Sequence, residues 1–365
     1  MLINPNFFQN INRNFSKKME FVRYNEEKYP VEKGFLDLGL LGIKNLLEVK
    51  GLNKLKDIEH LELSSNEISR IDGLEELTSL EVLNLGSNSI LEISRLESLE
   101  NLEVLHLISN QIAEIKGLEN LRNLKELYLR GNQITKIMGL ENLNKLEKLD
   151  LSWNLIKSIE GLDNLQNLQV LWIAGNMIEQ ISGLEHLKSL KILNLAGNQI
   201  EKMKNMESLE ELEELYLNNN QIKKIEGLLT LENLESLWLN GNNIGKIEGL
   251  DNLANLKLLN LKENNLQRIT GLLKQKNLKE LYLSGNEIGH ISGLETLTNL
   301  ETLDLNNNNI KKICGLEALM SLNSLWIKEN QVPENILEKL GGIDSSGFAN
   351  DPIKFVEYCL INISQ

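Results

Sequence analysis

Thirteen asparagines stand 22 residues apart, from Asn66, Asn88 and Asn110 through to Asn330, with no insertion or deletion between them. Each closes the phrase LxxLxLxxN, as Leu127, Leu129 and Asn132 do, and Ile or its equivalent follows two and five places on, here Ile134 and Ile137. A Gly-Leu pair, Gly139-Leu140, completes the unit. A unit this short cannot bury its apolar side alone, so coils must stack and share one core along the array. The interval therefore overrides the two or three separate domains that 365 residues would otherwise suggest. Composition agrees: 76 Leu, 35 Ile and 49 Asn fill more than two-fifths of the chain, a bias that a repeat explains.

The alternation LxL predicts a short strand with its leucines turned inward, and the period-three spacing of Leu140, Leu143 and Leu146 predicts a tight helical return. The Asn stands where the chain leaves the strand, and its amide can satisfy backbone groups of the bend; stacking turns these amides into a ladder. The Gly before Leu meets a need for positive φ or close approach, yet Arg95 and Asn205 replace it in two coils. Met203, Met206 and Gln275 are further departures, and they mark local weakness.

The pattern resembles the 22-residue subclass of leucine-rich repeats, typified by the leucine-rich regulatory subunit of type-1 protein phosphatase and by bacterial internalins, from Ile58 to about Val332. The resemblance implies an α/β repeat fold: a solenoid with a parallel concave sheet, a 3₁₀ or irregular convex side and terminal caps. Glu/Lys-rich phrases such as the run from Ile225 to Leu239 look closer to the phosphatase regulator than to internalins. That makes a phosphatase catalytic subunit the first implied partner, although the tail does not show the regulator's C-terminal cap motif.

Residues 1–18 read as a disordered extension, 19–57 as an N-terminal cap with a degenerate repeat, 58–332 as the array and 333–365 as a helical C-terminal cap. All four prolines and all seven phenylalanines fall outside the thirteen coils, so caps and array obey different rules. Open solenoid ends expose core and strand edges, which a cap must cover. Phe21 to Tyr24 and Tyr29 to Val31 suit a hairpin around Asn25-Glu26-Glu27-Lys28, followed by a coil with Lys44 where Asn is expected. Pro333 opens a helix ending near Gly341, and Asp351-Pro352 opens a last helix through about Ile363.

The middle residue of each LxL points to the concave surface. In order these are Glu62, Asn84, His106, Tyr128, Asp150, Trp172, Asn194, Tyr216, Trp238, Asn260, Tyr282, Asp304 and Trp326, six of them aromatic. Strands lie about 4.8 Å apart, so aromatics in alternate coils stand about 10 Å apart, leaving gaps for partner side chains. Exposed Trp and Tyr dominate binding hot spots because they bury much area with few rotors to freeze. The expected protein-binding residues are Tyr128, Asp150, Trp153, Trp172, Glu214, Tyr216, Trp238, Tyr282 and Trp326, with Val170, Ala174, Ile192 and Ala196 as an apolar surround. The same LYL and LWL phrases also serve simply to shield a sheet.

Charge narrows the partner. The chain carries 38 Lys and Arg against 52 Asp and Glu, a net −14, which disfavours direct gripping of nucleic acid or an anionic membrane. Eight acidic concave residues, among them Glu126, Glu263, Glu280 and Glu329, face Arg130, Lys148, Lys262 and Lys328, so a partner with basic and apolar groups fits. His106 and Asp150 are two coils apart, about 10 Å, too far for a nucleophile's base pair, and His106 reads as a solvated surface residue. Cys314 and Cys359 have no zinc-type spacing and make no disulfide framework, and GLLGIK at Gly39 to Lys44 lacks a phosphate-loop ending. The expectation is a cytoplasmic, non-enzymatic scaffold without cofactor or metal, monomeric when unbound. The alternatives are an internalin-like adhesin, for which the order of charges in Met1 to Lys18 is wrong for a secretion signal, and a scaffold subunit of a ribonucleoprotein.

Overall fold

A computed structural model describes residues 20–362. The extension expected over residues 1–18, and the end of the last helix at Ile363, lie outside the described residues. Strands β1 (Phe21–Tyr24) and β2 (Glu27–Pro30) form an antiparallel hairpin, and β3 (Phe35–Asp37) opens a parallel sheet. One strand per coil follows, from β4 (His60–Glu62) to β16 (Ser324–Trp326). β3 to β16 make a single 14-stranded sheet in chain order, so the fold is the leucine-rich-repeat solenoid that the interval implies. Leucine pairs with leucine in every step, as Leu127 with Leu149 and Leu303 with Leu325, and these side chains are fully buried. The returns are 3₁₀-like: Leu143 N–H donates to Leu140 C=O and Leu146 N–H to Leu143 C=O, both at 3.0 Å.

All thirteen asparagines join the ladder. Asn132 Oδ1 accepts from Ile112 N–H at 3.0 Å in the preceding coil, while its Nδ2 donates to Leu107 C=O and Leu129 C=O at 2.9 Å. One amide thus satisfies two coils whose bends would otherwise hold unpaired backbone groups in a buried place. Asn66 does more, accepting from both Leu41 and Ile43 N–H at 3.0 Å; the strand register pairs Leu36 with Leu61, so Leu41, and not Lys44 as the 22-residue spacing suggested, stands at the Asn position of this first coil. A second ladder runs along the returns: Asn120, Asn142 and Asn164 donate to the carbonyls of Glu97, Glu119 and Glu141. It explains asparagines that the first ladder leaves over.

The convex glycine has a measurable reason. Gly117 has φ of 71°, and a Cβ there would stand 2.6 Å from Ile93 C=O. Arg95 and Asn205 hold the same left-handed conformation, at φ of 59° and 60°. Each is compensated: Arg95 pairs with Asp72 at 2.8 Å, and Asn205 Nδ2 donates to Ile181 C=O at 2.8 Å.

The hairpin is tighter than the sequence suggests. Its turn is Asn25-Glu26 alone, with φ of 47° and 67°, the two positive values that a two-residue turn needs to match strand twist. Val22 and Tyr24 bury their side chains against the first coil. At the other end α1 (Glu334–Lys339) follows Pro333, and α2 (Pro352–Asn362) buries Phe355, Val356 and Cys359. Between them Ile327 N–H donates to Gly347 C=O and Ala349 N–H to Leu325 C=O, so this strap pairs the open edge of the last strand.

Candidate protein-binding face

Apart from Glu62, whose Oε1 accepts Ser64 N–H at 2.6 Å, the concave column divides into two kinds of residue. Short side chains turn back on their own bend: Asp37, Asn84, Asp150, Asn194, Asn260 and Asp304 each accept, through Oδ1, the N–H two places on, at 2.9 to 3.1 Å. They are Asx turns at the strand exit. Asp150 is only 9% exposed: it lies under the surface, where its charge bears on Tyr128. The rings stand up between these caps.

Rings lean together across the gaps. Tyr128 and Trp172, two coils apart, have centroids 6.4 Å apart at 23°, so the open slot of about 10 Å expected from strand spacing is closed. The short Asp150 between them, folded to Ser152 N–H, leaves the room for this. His106 extends the stack, 4.5 Å from Tyr128 and within 2° of parallel. It is therefore a packed ring rather than the solvated histidine expected; burial lowers its pKa against the pull of Glu126 and Glu62. Tyr216 and Trp238 form a second stack at 5.8 Å. Trp326 meets Phe348 of the C-terminal strap edge-on at 5.1 Å, so the cap covers part of it.

Each tyrosine is fixed by a carboxylate two residues earlier. Tyr128, Tyr216 and Tyr282 donate their hydroxyls to Glu126, Glu214 and Glu280 at 2.6, 2.5 and 2.6 Å. Partial burial, then these hydrogen bonds and the charge beside them, push the phenols of Tyr216 and Tyr282 up to about 12, and that of Tyr128 upward as well. Burial works against the Glu126 charge, but hydrogen bonds from Tyr128 and Lys148, with the charge of Lys148, outweigh it and hold this carboxyl below the ordinary range. Lys262 Nζ lies 5.0 Å over the Tyr282 ring and 2.6 Å from Asp304 Oδ2. The triplet Glu-Leu-Tyr was visible in the sequence and was the available signal for this anchoring; the roles of His106, Lys262 and Phe348 depend on which rings meet.

Trp153 stands apart, at the strand exit, 61% exposed with φ of 57°. Its indole lies against Gly175, where a Cβ would approach to 2.9 Å. With half-buried Trp172, Ala174 and Ala196 it borders an apolar region, while Val170 is nearly covered at 8%. Rings held by stacking and by hydroxyl–carboxylate bonds, partly exposed and flanked by carboxylates, can bury apolar area and receive cations. Among the described residues no group of three or more His, Cys, Asp or Glu is placed to hold a metal ion. No helix there is long and apolar enough to cross a membrane.

A coil of strand, Asn-closed bend and 3₁₀ return, repeated along one parallel sheet, defines a leucine-rich-repeat protein. The family model described as Leucine Rich repeats (2 copies) matches residues 56–101, 78–120, 100–145, 122–164, 144–187, 166–211, 210–254 and 276–318, and the chain belongs to this family. An internalin of Listeria monocytogenes is 29% identical with a TM-score of 0.74, over 88% of this chain and 94% of that one. A leucine-rich-repeat protein of Leptospira interrogans is 27% identical with a TM-score of 0.76, over 84% and 92%. A chain in an octameric complex of Latrophilin 3, Unc5D and FLRT2, 24% identical with a TM-score of 0.64 over 84% and 94%, shares the fold. No curated protein matches the sequence.

Proposed function

We propose that the chain is a non-enzymatic scaffold that binds a partner protein on the concave face, through Tyr128, Trp172, Tyr216, Trp238 and Tyr282, with Trp153 at the rim. The observation that carries this reading is the ring stack itself: costly, pre-set aromatic area left half open in an acidic setting. Asp150 and Glu214 act in it through their charge, and Trp326 forms its cap-covered margin. The partner presents apolar and basic groups. A type-1 phosphatase catalytic subunit in the cytoplasm is the first to test, on the resemblance of the Glu/Lys-rich coils. The similarity to the Listeria internalin supports a second reading, an internalin-like adhesin with an extracellular partner.

Joint replacement of Trp172 and Trp238 by Ala tests the face. Binding to a purified partner should fall by a hundredfold or more, since each hot-spot truncation costs about 2 kcal/mol or more. Circular dichroism should stay unchanged. Undiminished affinity of the double variant would place the contact elsewhere, and failure of the phosphatase subunit to bind the intact chain would remove that partner.

A further inference from the structure

The three Glu-Leu-Tyr coils are not equivalent in what they hold. At Glu126 the hydroxyl of Tyr128 takes Oε2 and Lys148 Nζ takes Oε1 at 3.0 Å, so a phenol-bound carboxylate keeps one oxygen for a cation. At Tyr282 the ammonium of Lys262 sits over the ring. The chain thus supplies its own cation at two of the three places.

At the third no described residue does. Shifted by the coil period, the position of Lys148 becomes Ser236 and that of Lys262 becomes Ala196. Both are short. Glu214 Oε2 accepts from Tyr216 at 2.5 Å, and among the described residues no cation pairs with this carboxylate. Trp238 backs one face of the Tyr216 ring. Across the sheet on the other side stands Asn194, whose Oδ1 is occupied by Ala196 N–H at 3.0 Å. Carboxylate and ring are therefore arranged as in the two filled coils, with the filling side chains removed.

We propose that Glu214 and Tyr216 form a vacant cation seat, taking an arginine side chain of the partner; this rests on the concave-face reading above. A guanidinium can lie on the phenol ring while its fork meets Glu214 Oε1, which suits the seat better than a point-charge ammonium. The column that holds Ala196 already carries Arg130, Lys262 and Lys328, so a long cationic side chain is compatible with the fold there.

The test titrates the full chain with a blocked Gly-Arg-Gly peptide, followed by the indole N–H resonance of Trp238, and with the citrulline analogue as control. Saturable shifts with arginine and at least fivefold weaker binding of citrulline are expected. Ala196→Lys should fill the seat from within and abolish the shifts, and Glu214→Gln should weaken binding at least fivefold. Equal binding of the two peptides, or unchanged binding by Ala196→Lys, overturns the seat. A partner that tolerates Ala196→Lys yet is lost with the Trp172 and Trp238 double variant overturns the seat alone and leaves the concave-face reading standing.

Discussion

Gln275 shows what one polar residue costs inside a repeat core. Its side chain is fully buried where other coils carry Leu; Nε2 donates to Leu250 C=O at 2.6 Å, but Oε1 has no partner. Leu250 C=O also accepts from Leu253 N–H at 2.9 Å, so it would not be orphaned by a change here. Gln275→Leu should therefore stabilise the chain by about 1–2 kcal/mol, the cost of one unpaired buried acceptor. A higher urea midpoint is the expected result, and an unchanged or lower one would show that the amide is worth keeping. His106 gives a pH prediction. Folding depresses its pKa below the ordinary 6.5, chiefly by burial, so the unfolded chain binds the proton first as pH falls. The stability due to neutral His106 is fully present above about pH 6.5 and is lost as pH drops through the folded-state value. In an NMR titration its midpoint should lie below 6.5, and Glu126→Gln should lower it further, because Glu126 pulls it up. A midpoint that rises in the variant would contradict the assigned cause.

At the level of the coil, the strands, the returns and the Asn ladder were all legible because each depends on spacing, and spacing is what a sequence states. The ring stack was only half legible. Strand separation fixes where Tyr128 and Trp172 begin, but their tips meet because Asp150 is short and tied to Ser152 N–H. Which middle residues cap and which stand up follows from whether the side chain carries an oxygen that reaches the N–H two places on, as Asp150 and also the longer Glu62 do, a rule visible only once these hydrogen bonds are known. The ladder makes its own forecast. Asn198 Oδ1 accepts from Ile178 N–H at 3.0 Å, and its Nδ2 donates to Ile173 and Leu195 C=O at 3.1 and 3.0 Å. Asn198→Ala should cost about 3 kcal/mol, since several buried groups lose partners at roughly 1–3 kcal/mol each. Hydrogen exchange should quicken at Ile178, in the preceding coil. Acceleration confined to the coil of Asn198 itself would mean that the amide serves only its own bend.

For the molecule as a whole, contacts run between neighbouring coils, so damage at one end should fade inward. Removal of Asp351 to Gln365 takes away buried Phe355, Val356 and Cys359. Faster hydrogen exchange around Asn308 and Asn330, with aggregation at higher concentration, is expected, while the coils around Trp172 keep their protection. A monomeric truncation with unchanged exchange that no longer binds its partner would reassign the tail from cap to contact surface. The ladder's direction also makes the two ends of the array unequal. Each Asn completes the bend of the coil before it, as Asn132 does for Ile112. A coil without its successor therefore lacks the acceptor that closes its bend. A chain cut after any coil is thus left with one open bend at its tip, whichever coil is last.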